Sequence, residues 1–214
     1  MFDAVAPHYD RMNAVMTFGQ ERRWRRVVAA ELGVGPGDTV LDLAAGTAAS
    51  SVAIGATGAR VVACDFSQGM LAVGRQRHPE LPMVAGDALR LPFADRSFEA
   101  VTISFGLRNV ADVDLALREL ARVAKPGARL AVLETSAPQR QPMRAGHHFY
   151  VERIMPRIAR LAASNREAYS YLAESVGAWP APAELADRIT AAGWSAVSWK
   201  PLLMGAVALH VGRA

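Results

Sequence analysis

Three aspartates stand at or near the carboxyl ends of three consecutive apolar runs, namely Asp42, Asp65 and Asp87. In open α/β sheets, ligands bind beyond the carboxyl ends of the parallel strands, so these carboxylates are expected to meet at one edge. An acidic residue at the end of the second strand commonly hydrogen-bonds ribose hydroxyls, which is the expectation for Asp65. The pattern therefore predicts a nucleoside site.

The first strand is followed by the turn LDLAAGTAAS, Leu41 to Ser50, which holds a single glycine, Gly46. A nicotinamide or flavin enzyme would be expected to have G-x-G-x-x-G here, with glycines that let the pyrophosphate approach the backbone. Its absence disfavours a nicotinamide oxidoreductase and favours a ligand without phosphates. Asp87 is placed to accept an exocyclic adenine amine, and Asp42 is placed near a cationic tail. Together they predict S-adenosylmethionine, although any one of these aspartates alone is more often a turn or N-cap residue.

The surrounding elements alternate between β-rich runs and helical patterns, which is typical of βα units with a parallel sheet covered on both faces. The predicted strands are Thr39 to Ala44, Arg60 to Asp65, Met83 to Gly86, Glu99 to Phe105 and Ala128 to Thr135. Amphipathic helices are predicted for Ser67 to Arg77 and for Asp112 to Ala124, the second with Asp112 as N-cap.

The pattern changes after Thr135. A helical segment rich in proline and arginine, 138–175, precedes a predicted helix at Ala183 to Trp194. The runs SAVSWKP and GAVALHVG then predict an antiparallel strand pair at the end of an otherwise parallel sheet. We expect one domain over residues 1–214, with residues 1–35 as an N-terminal helical cap.

Composition narrows the class of protein. The formal net charge is +4, and arginine clusters such as Arg22 to Arg26 fit either a solvated helix face or an anionic surface. A single cysteine, Cys64, provides neither a disulfide framework nor a thiolate metal site. The N-terminus has no signal-peptide pattern, and the apolar runs are shorter than the ~20 residues of a spanning helix, so a cytoplasmic location is expected.

Beyond these patterns, nearly the whole chain resembles the demethylmenaquinone and 2-methoxy-6-polyprenyl-benzoquinol C-methyltransferases of menaquinone and ubiquinone biosynthesis. The resemblance is carried by five motifs: HYDRMNAVMTFGQERRW (from His8), TISFGLRNV (from Thr102), RVAKPGARLAVLETS (from Arg122), AYSYLAESVGAWP (from Ala168) and GAVALH (from Gly205).

The resemblance implies a Rossmann-like class I methyltransferase, with a seven-stranded, mostly parallel sheet, helices on both faces and a helical insertion over the acceptor site. It implies that the methyl donor is bound by Thr47, Asp65, Asp87, Ala88 and Ser104, without a metal. The implied reaction is the S-adenosylmethionine-dependent methylation of the quinol ring of demethylmenaquinol to menaquinol.

The sequence departs from the family pattern in the region that would line the acceptor pocket. Thr135 stands where a phenylalanine is usual, and His147 stands where tyrosine is frequent. These changes leave open a paralogue that methylates another aromatic or polyketide acceptor. A binding protein without turnover is a further alternative, which the retention of Asp42, Asp65 and Asp87 disfavours.

Methylation of a ring carbon needs an electron-rich ring, and deprotonation of a quinol hydroxyl, with a pKa of roughly 10 as for tyrosine, supplies it. The preferred catalytic pair is Tyr150, as proton acceptor, and Arg108, as partner of the quinolate, with His8 as the next candidate. Asp10, His147 and His148 are weaker candidates. His147 and His148 are adjacent, with no third ligand at useful spacing, so no metal site is predicted.

The implied partner is a polyprenylated quinol substrate. In the insertion, Phe149, Ile154, Ile158 and Leu161 alternate with arginines, which fits core packing or an interfacial amphipathic helix equally. Peripheral contact with the inner face of the membrane therefore stays open, as does a homo-oligomer. No stacking motif indicates a nucleic-acid partner.

Overall fold

The computed structural model describes residues 17, 19–138, 141–149, 153–154, 175 and 179–214. Within these residues, seven strands form one mixed sheet in the order β3-β2-β1-β4-β5-β7-β6. This confirms the predicted Rossmann-like, mostly parallel sheet. His8, Asp10 and Tyr150 lie outside the described residues.

The helices and strands have the following bounds. The strands are β1 Thr39–Leu43, β2 Arg60–Asp65, β3 Met83–Ala85, β4 Phe98–Ser104, β5 Ala124–Thr135, β6 Ser195–Leu202 and β7 Val207–Arg213. The helices are α1 Glu21–Leu32, α2 Ala49–Gly55, α3 Gln68–Arg77, α4 Val113–Val123, α5 Met143–Phe149 and α6 Pro182–Ala191. Short 3₁₀ turns lie at Leu107–Asn109 and Leu203–Gly205.

The strand order reverses at β1, which pairs in parallel with β2 on one side and with β4 on the other. This is the topological switch point at which doubly wound sheets form their ligand crevice. At the far end of the sheet, β7 pairs antiparallel with both β5 and β6. The predicted antiparallel pair is therefore confirmed.

Two of the helices begin where short polar side chains cap them. The Ser67 hydroxyl accepts from the Met70 amide (3.1 Å), and an Asp112 carboxylate oxygen accepts from the Leu115 amide (2.9 Å). Each side chain satisfies a backbone donor that the first helical turn leaves without a partner. The predicted N-cap at Asp112 is thus confirmed.

Apolar residues fill both faces of the sheet. On one face, α4 and α6 pack against β1, β4 and β5, with Trp194 buried among them. On the other face, α1 and Ile54 of α2 cover Val40, Ala100 and Leu133. Strands buried on both faces read as continuous apolar runs, which explains why the sequence predicted them well.

Three elements differ from prediction. Helix α6 ends at Ala191 and not at Trp194, because the chain turns at Gly193, where φ is 103°. Strand β5 begins at Ala124 and not at Ala128, because Ala124 pairs with Phe98 and the LysProGly segment continues the strand. Helix α2 was not predicted, since its seven residues are too few to show a helical period.

The N-terminal cap and the insertion stay predictions. Of the cap, the structure describes α1, and of the insertion mainly α5, whose His147 and His148 side chains are not described. No helix among the described residues is long and apolar enough to cross a membrane. Across the same ranges, no group of three or more histidine, cysteine or acidic side chains is arranged to hold a metal ion.

Candidate donor and acceptor site

The turn between β1 and α2 is tightly wound. Ala44, Gly46 and Ala48 all have positive φ, of 54°, 58° and 69°. Glycine adopts this conformation without cost, whereas the two alanines are strained, and such strain is concentrated at functional sites. The turn therefore exposes its backbone at the edge where β1 ends.

The Asp65 carboxylate holds this turn to the end of β2. One oxygen accepts from the Gly46 amide (2.7 Å) and the other from the Ser67 amide (2.8 Å). Asp65 is half-buried, so its carboxylate remains within reach of a ligand at the crevice. Phe66 follows directly, and its side chain is 78% exposed, so a flat apolar face lies beside the carboxylate.

The loop after β3 brings Asp87 to the same edge. The Gly86 amide donates to the Asp65 carbonyl oxygen (3.1 Å), which places the two aspartates on adjacent chain segments. The Asp87 Oδ1 accepts from the Leu89 amide (2.9 Å), and the side chain is exposed. Ala88 packs against the core and anchors the loop.

Asp42 lies beneath the turn and not on its surface. It is 1% exposed, and its Oδ2 accepts from the Ser51 hydroxyl of α2 at 2.6 Å. Burial raises its pKa from 3.8 to about 7; the Ser51 hydrogen bond opposes this rise, and the charge of Asp65 adds to it. Asp42 therefore ties β1 to α2, and the predicted contact with a cationic tail stays a prediction.

Thr47 and Ser104 also lie at the crevice edge. Thr47 is buried within the turn, and Ser104 is the last residue of β4. Gly106 packs so closely on the turn that a Cβ there would lie 2.3 Å from the Ala44 Cβ. The segment after β4 and the turn after β1 are thus in direct contact.

Arg108 forms an ion pair with an acidic residue, Glu134, that was not among the predicted site residues. Its Nη1 donates to Glu134 Oε1 (2.7 Å) and to the Phe105 carbonyl oxygen (2.8 Å), while its backbone amide donates to Glu134 Oε2 (3.3 Å). The exposed side-chain fractions are 10% for Arg108 and 1% for Glu134. A carboxylate inside the apolar run LAVLET was the signal that could have identified Glu134.

The structure thus brings seven predicted residues to one edge of the sheet, together with Arg108 on the neighbouring turn. They are Asp42, Gly46, Thr47, Asp65, Asp87 with Ala88, and Ser104. Ser51, Phe66 and Glu134 are not among the residues predicted from the sequence, and no role was predicted for Asn109.

Comparison with known proteins determines the family. The model of the ubiE/COQ5 methyltransferase family matches residues 1–214. The chain belongs to this family. Its relatives include a demethylmenaquinone methyltransferase of Mycobacterium sp. (strain KMS), 59% identical over 98% of this chain and 90% of that protein. Another, of the same name, comes from Streptomyces avermitilis, with 54% identity over 99% of this chain and 92% of the relative.

Solved structures support the fold. A SAM dependent methyltransferase from Aquifex aeolicus superposes with a TM-score of 0.64, at 17% identity over 88% of each chain. At this identity the likeness concerns the fold alone. Membership of the ubiE/COQ5 methyltransferase family, established by sequence, makes the chain a methyltransferase and confirms the resemblance that its motifs indicated.

Proposed function

We propose that this methyltransferase transfers the methyl group of S-adenosylmethionine to a ring carbon of demethylmenaquinol, which gives menaquinol. The observation that carries the proposal is the identity of 54–59% with demethylmenaquinone methyltransferases over nearly the whole chain. The acidic edge of the sheet is the physical support, because its residues match the parts of the donor one by one.

The donor would lie across the ends of β1, β2 and β3. Asp65 would accept from the ribose hydroxyls, and Asp87 from the adenine amine, while Phe66 offers a flat apolar face to the base. Hydrogen bonds to a charged group contribute about 1.5–3 kcal/mol each, so Asp65 alone accounts for a large part of the expected affinity. Gly46 and Thr47 would line the turn.

The cationic part of the donor favours an ionised Asp42. Asp42 has a pKa of about 7 because it is buried, and a cation at the turn would lower this pKa. Donor binding would then release a proton near neutral pH. Asp42 would act from below the turn, through the field of its charge and through Ser51.

The acceptor would lie beyond β4 and β5, next to Arg108. The donor supplies an electrophilic methyl group, and the ring carbon attacks it once the quinol has lost a hydroxyl proton. The bond between methyl and sulfur breaks, S-adenosylhomocysteine leaves, and the methylated ring carbon loses its proton while the oxygen regains one, which restores the aromatic quinol. Arg108 would stabilise the negative charge on the quinol oxygen, while Glu134 holds the guanidinium in place. Tyr150, with His8 as the next candidate, is our proposal for the proton acceptor.

The substrate tail sets the expected location. A polyprenyl chain keeps the quinol in the membrane, so we expect the protein to work in the cytoplasm with peripheral contact at the inner membrane face. The insertion 138–175, with its alternating arginine and apolar residues, is the segment proposed for that contact.

An activity assay tests the proposal. The purified protein is incubated without oxygen with methyl-labelled S-adenosylmethionine and 2-geranyl-1,4-naphthoquinol, a short-tailed form of the acceptor. We expect label on the ring carbon next to the tail, identified by mass spectrometry and NMR. Label on an oxygen atom, or transfer only to other aromatic acceptors, would replace the proposal with the paralogue alternative.

Calorimetric titration with S-adenosylmethionine tests the donor site separately. Asp65→Asn should weaken binding by ~10-fold or more, since charge-assisted hydrogen bonds are lost. Asp38→Asn is the matched control, because Asp38 precedes β1 at the opposite edge of the sheet and accepts from the Gly35 amide. Equal affinities for the Asp65 variant and the wild type would contradict the placement of the donor.

A further inference from the structure

Buried polar atoms without hydrogen-bond partners are concentrated at the ends of β4 and β5. Among the residues that the structure describes, six side-chain atoms are of this kind, and four of them lie here: Arg108 Nε, Asn109 Oδ1, Thr135 Oγ1 and Ser136 Oγ. Folded proteins satisfy most buried polar groups, and each failure costs about 1–3 kcal/mol. Four such atoms lie in two short segments at the ends of the adjacent strands β4 and β5, which is expected where a polar ligand completes the hydrogen bonds.

Backbone strain fixes the direction of two of these groups. Phe105 has a φ of 55°, which turns the chain sharply after β4. Its carbonyl oxygen accepts from both Arg108 Nη1 (2.8 Å) and Asn109 Nδ2 (3.4 Å). The Asn109 amide is thereby oriented, since the reverse orientation would set its oxygen against the Phe105 oxygen.

The atoms without partners differ in whether they can donate or accept a hydrogen bond. Arg108 Nε can only donate a hydrogen bond, and Asn109 Oδ1 can only accept one. The oxygen atoms of a quinone and of a quinol both accept from a guanidinium. Only the quinol has a hydroxyl that can donate to Asn109.

We propose that Asn109 Oδ1 accepts a hydrogen bond from a ring hydroxyl of the acceptor, so that the enzyme selects the reduced quinol over the oxidised quinone. This inference rests on the proposed function. The selection suits the chemistry, because the quinol ring is electron-rich and attacks an electrophilic methyl group, whereas the quinone ring is itself electrophilic. With a quinone bound, Asn109 Oδ1 stays buried without a donor, which is the penalty that produces the preference.

Binding of one probe in two redox states tests the inference. The enzyme is saturated with S-adenosylhomocysteine, which prevents turnover, and titrated without oxygen with 2-geranyl-1,4-naphthoquinol and with the corresponding quinone. The wild type should bind the quinol at least ~10-fold more tightly. Asn109→Leu should bring the two dissociation constants within about twofold by weakening quinol binding alone, and Asn109→Asp, which keeps an acceptor oxygen, should retain the preference.

Thr135→Val is the matched control from the same cluster. A hydroxyl both donates and accepts, so its loss should weaken quinol and quinone binding alike and leave their ratio unchanged. Affinity for S-adenosylhomocysteine and the urea midpoint show whether each variant is folded.

Three results would overturn the inference. They are equal wild-type affinities for the two forms, an unchanged ratio in Asn109→Leu, or equal weakening of both forms by that variant. Failure of the proposed function is seen separately, as absence of methyl transfer to the quinol by the wild type.

Discussion

Replacing Asp42 with asparagine should remove a large part of the pH dependence of stability. Asp42 is buried beneath the turn between β1 and α2, and it accepts from the Ser51 hydroxyl at 2.6 Å. Asparagine has nearly the same shape and still offers an oxygen to Ser51, but it cannot ionise. The comparison of the two proteins therefore isolates the cost of a buried negative charge.

The sign follows from the raised pKa. Below pH ~4 the Asp42 carboxyl is protonated in both the folded and the unfolded protein, because the unfolded pKa is 3.8. Between 3.8 and about 7 only the folded protein holds the proton, so its free energy of unfolding falls as pH rises. At about 1.36 kcal/mol for each pH unit, the loss over the whole window is roughly 4 kcal/mol. Above pH ~7 the contribution is flat.

Urea unfolding at several pH values between 5 and 8 measures the effect. The free energy of unfolding of the wild type, relative to that of Asp42→Asn, should fall by roughly 2–3 kcal/mol between pH 5 and pH 7. Ser51→Ala removes the hydrogen bond that lowers the pKa of Asp42. In this variant the free energy of unfolding should therefore keep falling to a higher pH than in the wild type. Asp95→Asn is the control, because the Asp95 side chain is 71% exposed.

Parallel pH profiles for the wild type and Asp42→Asn would refute the reasoning. They would mean that Asp42 is already ionised at pH 5 in the folded protein, with its charge compensated. The reasoning would also be contradicted if the profiles of the wild type and Asp42→Asn differed only in the presence of S-adenosylmethionine, because the effect is derived from the protein without ligand.

Three further substitutions have expected outcomes. Gly106→Ala should displace the turn between β1 and α2, because the new methyl group would lie 2.3 Å from the Ala44 Cβ. The change should cost about 1–3 kcal/mol of stability and weaken S-adenosylmethionine binding in calorimetry. Gly146→Ala is the control and should leave donor binding unchanged, because its new methyl group meets no atom within 4 Å. Asp112→Ala should cost about 1 kcal/mol in urea unfolding, because the Leu115 amide loses its cap. Glu134→Leu should cost about 3–5 kcal/mol, because it leaves the Arg108 guanidinium buried without its counter-charge, and a cost below 1 kcal/mol would show that the pair is dispensable.

Much of the fold could be predicted because its strands are short apolar runs at regular intervals. Both strands of the terminal antiparallel pair and the cap at Asp112 were visible in the sequence. Helix α2 was not, since seven residues give no readable period. The start of β5 was misplaced because a proline and a glycine indicate an interruption, while pairing with Phe98 extends the strand through them.

The site was predicted unevenly. Asp65 and Asp87 follow strands directly, so the rule for parallel sheets places them at one edge. The same rule places Asp42 at this edge, but its side chain lies beneath the turn, where it accepts from Ser51 of α2. No local pattern indicated that contact. The resemblance indicated Arg108, but no local pattern could indicate its ion pair with Glu134, because the two residues are 26 positions apart.

The sequence by itself determined the order of strands and helices, the acidic residues that end the strands and the family. These follow from local periodicity and from motifs that need no knowledge of long-range contacts. Only the tertiary structure decided that Asp42 is buried, that Arg108 is neutralised by Glu134 and that Asn109 keeps a free acceptor oxygen. The reason is physical: burial, pKa and hydrogen-bond satisfaction depend on neighbours that folding brings together from distant parts of the chain.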